Sequence, residues 1–175
     1  MISVLQKVGR LTEIRMRTPV VLDEVTVMQR DVASLGAKTA TKLVVCADLS
    51  RASVFPEPLA DRLGRFFRSE HQRLDRVAFV VGEGATFFMQ IERLLRDSAP
   101  SSKDLAREAA AQRTSVAGDP PPPKRVNGAS DPTLGKRPIT RRVFRSATEA
   151  MAWLEDALST DERARLKQFL ADPSS

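Results

Sequence analysis

The sequence predicts an α/β fold: a four-stranded, mostly parallel sheet flanked by amphipathic helices and interrupted by a proline-rich, disordered insertion. Three observations carry this. Leu43-Val44-Val45-Cys46-Ala47 and Val77-Ala78-Phe79-Val80-Val81 are short apolar runs with β-branched members and no breaker, the composition of strands buried on both faces. Segments with the apolar spacing of a helix precede, separate and follow them. The joins between these segments are short, and a strand–helix–strand–helix order with short joins builds a parallel layer through right-handed crossovers.

Residues 1 to 9 carry a poor signal and read as a short helix or an ordered arm. Leu11, Ile14 and Met16 alternate partially within Arg10 to Arg17, a first strand. Thr18-Pro19 has the form of a helix start, Thr as N-cap and Pro in the first turn. Val21, Leu22, Val25, Met28, Val32 and Leu35 follow near helical spacing, and Gly36 is placed to stop the helix. Asp48 ends the run from Leu43, so Asp48 to Ser53 reads as a polar strand-to-helix loop. From Pro58 the pattern is helical, with Leu59, Leu63, Phe66 and Phe67 on one face and Leu74 after them. Phe87, Phe88, Ile91, Leu94 and Leu95 mark another helix after Gly82-Glu83-Gly84.

The character changes at Ser98. Ser101 to Arg113 is an Ala-rich candidate helix with little to bury. Gly118 to Pro138, with Pro120-Pro121-Pro122-Pro123, has too little apolar surface to offset its ordering entropy. Arg142-Val143-Phe144 is a last strand. Ser146 with Glu149 has the capping-box spacing of a helix whose apolar face is Ala150, Trp153, Leu154 and Leu158, with Trp153 as a core anchor. Thr160 is placed to cap a final helix with Leu166, Phe169 and Leu170. On this reading residues 1–9 are an N-terminal arm and 10–97 the α/β core. Residues 98–140 are the insertion, and 141–172 the last strand and C-terminal helices that complete the core.

Among 175 residues, 42% are hydrophobic and 29% charged, the balance of a globular chain. No apolar run approaches the length of a membrane span, and no secretory signal is visible at the N-terminus, so a cytoplasmic location is expected. The formal charge of +6 raises nucleic acid as a partner, but bases and acids alternate along the helices, which argues for solvated faces instead. The single Cys46 lies in a buried run and reads as an inert core thiol. His71 is the one histidine and stands at a polar helix end with no metal-ligand spacing around it. Gly82-Glu83-Gly84 lacks the third glycine of a dinucleotide fingerprint and the lysine of a phosphate loop. No nucleophile, base and orienting group assemble, so no enzyme, cofactor or metal is expected.

The order of elements resembles the STAS domain family, and within it the SpoIIAA-like branch of anti-sigma-factor antagonists. The residues that carry the resemblance are Val44 to Ser50, Val77 to Val81, and Val143-Phe144-Arg145-Ser146-Ala147-Thr148-Glu149-Ala150 with Trp153-Leu154. They cover about residues 10–97 and 141–158. The resemblance implies a regulatory domain that binds another protein. Antagonists of this kind carry a phosphorylatable Ser or Thr at the start of the helix after the central strand. Here Phe55-Pro56-Glu57-Pro58 stands in that place and the acceptor hydroxyl is missing.

In open α/β sheets, ligands and partners meet the loops beyond the carboxyl ends of the strands. The expected partner surface is therefore Asp48, Ser50, Arg51, Ser53, Phe55 and Glu57, with Ser50 and Ser53 as hydroxyls open to phosphorylation. The resemblance extends to the CRAL-TRIO lipid carriers, which gives an alternative: a small module for a lipid or other apolar ligand, lined by Phe66, Phe67, Phe87 and Phe88.

Overall fold

A computed structural model describes residues 1–69, 73–98 and 140–172. The proline-rich insertion, the candidate helix from Ser101 and the lone His71 lie outside them. The described elements belong to one unit, spanning residues 1–98 and 138–175.

The sheet has five strands, not four. β1 (Ile2–Val8) and β2 (Leu11–Arg17) form an antiparallel hairpin. α1 (Leu22–Lys38), β3 (Leu43–Arg51), α2 (Glu57–Ser69), β4 (Leu74–Val81) and α3 (Ala85–Asp97) follow. β5 (Thr140–Phe144), α4 (Ala147–Leu154), a short 3-10 turn (Glu155–Ala157) and α5 (Thr160–Ala171) complete the order. The strands lie in sequence order, with β2 to β5 parallel. The expected arm at residues 1–9 is thus an edge strand. Its signal is weak because Ser3, Gln6 and Lys7 dilute the alternation, and it gains its order from β2 across the Gly9-Arg10 turn.

Period-two alternation sends each strand's side chains to two layers. Ile14, Met16, Val45, Ala47, Leu49, Val77, Phe79 and Val81 face α1, α2 and α3 and form the larger core. Leu11, Val44, Cys46, Ala78 and Val80 face the other way, under Leu154 and Ala150 of α4 and Leu166 and Phe169 of α5. Trp153, expected as a core anchor, is only half-buried. Its ring meets Phe144 at 5.5 Å and lies under the guanidinium groups of Arg76 and Arg142.

Several boundaries move for identifiable reasons. α1 starts at Leu22, beyond a cis Thr18-Pro19 peptide bond, and the Val21 amide donates to Glu24. It runs through Gly36 to Lys38, and the Thr39 amide and hydroxyl both donate to the Leu35 carbonyl at its end. β3 continues past Asp48 to Arg51 because Arg15, its register partner on β2, neutralises the acid at 3.1 Å. Leu74 opens β4 and does not extend the preceding helix. Ser146 caps α4 by accepting from the Thr148 amide, and Ser159, not Thr160, caps α5 in a reciprocal pair with Glu162.

Several arginines among the described residues donate to carbonyl oxygens at or near helix ends, where the orphan carbonyls and the negative end of the helix dipole lie. Arg68 reaches Asp97 at 3.2 Å, Arg76 reaches Trp153 at 2.8 Å and Arg15 reaches Phe169 at 2.7 Å. Arg10 reaches Ala157, and Arg141 reaches both Phe67 of α2 and Ser98 at the end of α3. Part of the basic excess is therefore structural. Burial lowers the pKa of Arg141, and its acceptors are neutral, so the two helix ends are what offset its charge. Arg141→Met is expected to cost about 2 kcal/mol, the range for hydrogen bonds made by a charged group. Urea denaturation checks this; no shift in the midpoint would mean that the two helix ends are satisfied without it.

Candidate functional site

Because β2 to β5 are parallel, their carboxyl ends share one edge of the sheet, and antiparallel β1 returns its first residue to that edge. Three connections knit it together. The Met1 ammonium donates to the carbonyls of Arg17 and Pro19 at 2.8 and 2.6 Å. The Thr18 hydroxyl accepts the Ser53 amide at 2.8 Å, clasping the turn after β2 to the loop after β3. Gln90 of α3 brackets Phe55, accepting its amide at 2.8 Å and donating to its carbonyl at 2.7 Å.

The expected site residues divide on this frame. Ser50, Arg51, Ser53 and Glu57 are exposed, and Glu57 opens α2, where a carboxylate suits the helix dipole. Asp48 is partly covered. One of its oxygens pairs with Arg15, and the other accepts the amide and hydroxyl of Ser50 at 3.0 and 2.6 Å. It therefore serves the sheet. Phe55 is a correction: it is 4% exposed and meets Phe87 edge-to-face at 5.1 Å, so it rivets the loop to α3 and presents nothing to a partner.

Val54 and Met89, which the sequence reading passed over, and Val21 and Leu22, which it placed in a helical stripe, are exposed on segments that begin at this edge. Val54 is 48% exposed in the loop after β3, Val21 and Leu22 are 55% and 48% exposed before and at the start of α1, and Met89 of α3 is 67% exposed. Val21 and Leu22 read as members of a core stripe, but Val21 is the N-cap and Leu22 the first residue of α1, and the buried stripe starts only at Val25 and continues through Met28 and Val32. The charges along the edge are mixed. Arg51 stands in register with Arg17, and the Arg145 guanidinium lies 4.4 Å from the Phe88 ring centroid.

Phe66, Phe67 and Phe87 are buried in the larger core and Phe88 is half-buried. The void beside Phe66, Phe67 and Phe79 holds about 20 Å³. Cys46 is fully buried; burial above all, then the charges of Asp48 and Glu13, push its thiol pKa up and leave it protonated. Among the described residues no cluster of His, Cys, Asp and Glu converges as metal ligands, and no helix is long and apolar enough to cross a membrane.

Comparison with family models, with curated proteins and with solved structures finds no match to this chain.

Proposed function

We propose that the chain is a non-enzymatic regulatory or adaptor domain that binds a protein partner at the carboxyl edge of its sheet, as the resemblance to STAS domains implies. The observation that carries this reading is the exposure of Val21, Leu22, Val54 and Met89 on the loop after β3 and the helices that begin at an edge whose loops are hydrogen-bonded to one another. Exposed apolar residues at a pre-ordered surface lower the entropic cost of docking and supply the contact area that binding needs. The apolar-ligand alternative has less support, since a void of about 20 Å³ accepts roughly one water and no lipid.

The test uses Val54→Asp and Met89→Asp, which place charge on the surface and leave the Phe55 rivet intact. Each is expected to keep the melting temperature within about 2 °C, because exposed substitutions seldom cost more than about 0.5 kcal/mol. Together they are expected to abolish capture of the partner that the wild-type chain retains. Undiminished capture by the double variant would refute the edge as the binding surface. Ser53→Glu is a poor probe, since Ser53 holds the clasp to Thr18.

A further inference from the structure

Beside the apolar edge, α1 and α2 flank an open groove of about 560 Å³. Its walls are Leu22 and Thr26 of α1 and Glu57, Asp61, Arg62 and Arg65 of α2. Both helices run away from the carboxyl edge, so the groove begins at their N-termini, at the exposed Leu22. Asp61 and Arg65 stand at i, i+4, a spacing at which opposite charges pair readily on a helix. Yet among the described residues none of Glu57, Asp61, Arg62 and Arg65 makes an ion pair. The groove thus presents an apolar end, then two acids, then two bases. Among the described residues, several charges that face another element are paired, as in Arg10–Asp75, Arg15–Asp48, Arg76–Asp156 and Arg165–Glu13.

We infer that this groove takes a peptide segment of another protein that carries, in order from the sheet edge, an apolar residue, a basic residue and an acidic residue. The inference rests on the partner-binding reading and supplies the partner's chemistry. The apolar residue meets Leu22, the base meets Glu57 and Asp61, and the acid meets Arg62 and Arg65. From Glu57 to Arg65 the helix rises about 12 Å, so the segment is short, roughly four extended residues or two helical turns. Charge order along the groove would select the partner more than it would add affinity, because such contacts are exposed and screened.

The experiment pans a random peptide library on the full chain and on Asp61→Arg with Arg65→Asp. Both positions are exposed, and a thermal melt confirms that the variant folds. Peptides enriched on the wild type are expected to carry the apolar–basic–acidic order and to bind the reversed variant at least about tenfold more weakly, since like charges then meet. Enriched peptides that bind both forms equally, or no enrichment on the wild type, would overturn the inference. If Val54→Asp with Met89→Asp abolishes partner capture and the charge reversal does not, the groove inference fails while the edge reading stands.

Discussion

Arg165→Ala is expected to destabilise the protein by about 3 kcal/mol, the cost of removing the partner of a buried carboxylate. Glu13 sits in the middle of β2 under α5 and is 1% exposed. Arg165 holds it with two hydrogen bonds of 2.6 Å, the bidentate geometry that a guanidinium offers a carboxylate. Without Arg165 the carboxylate is left buried beside Leu11, Cys46 and the helix above without its bidentate partner, so the layer must repack or admit water. The penalty belongs to the stranded charge rather than to the pair as such. Glu13→Leu with Arg165→Leu is therefore expected to recover most of the loss and to end within about 1.5 kcal/mol of wild type. Urea denaturation midpoints at constant slope measure both. A single-variant loss below about 1 kcal/mol would mean that Glu13 is not buried as described.

Gly9→Ala is expected to cost about 3 kcal/mol, from two additive sources. Gly9 turns the hairpin at φ +52°, where a residue with a Cβ pays about 1 to 2 kcal/mol. A Cβ there would also lie 2.3 Å from the Glu162 carboxylate. That carboxylate accepts the Arg10 amide at 2.6 Å and the Ser159 amide at 2.8 Å, so it joins the β1–β2 turn to the start of α5. Pushing it aside forfeits those bonds, which makes the double variant with Glu162→Ala cost less than the sum of the singles. Glu162 also sets a pH dependence. Burial raises its pKa, but the amides of Ser159 and Arg10, with the Ser159 hydroxyl and the Arg10 charge, outweigh burial and hold it below the ordinary value. A depressed carboxyl pKa contributes stability that is complete above the unfolded-state value, about 4.3, and is lost as pH falls through the folded one. The gap between wild type and Glu162→Gln should therefore narrow below about pH 4.3; a gap that widens there would contradict the assignment.

The sheet's interior strands and the helices between them were legible because hydrophobic period alone defines them: Leu43 to Ala47, Val77 to Val81 and the stripes of α2 and α3 each sit where the alternation or helical spacing places them. What escaped depends on pairing across the chain. β1 is a strand only beside β2, and its own residues alternate too weakly to announce it. β3 outlasts Asp48 because Arg15 stands opposite, a register that no local pattern reveals. In the loop after β3, Phe55 turns inward because Gln90 and Phe87, thirty-odd residues away, hold it. Val54 is the outward residue of the same loop, and nothing in Ser-Val-Phe-Pro distinguishes the two. Likewise the arginine excess looked like a surface property, whereas Arg15, Arg76 and Arg141 each end a helix that only the tertiary fold brings to them.

The central claim, that a partner docks on the carboxyl edge, is tested most directly by a photo-crosslinking side chain placed at Val54 in cells that express the full chain. A control carries the same side chain at Ala164, which is exposed on α5 across the sheet from α1, α2 and α3. A discrete higher-mass adduct formed from position 54 and absent from position 164 is the predicted result. The same adducts from both positions, or none from position 54, would contradict it.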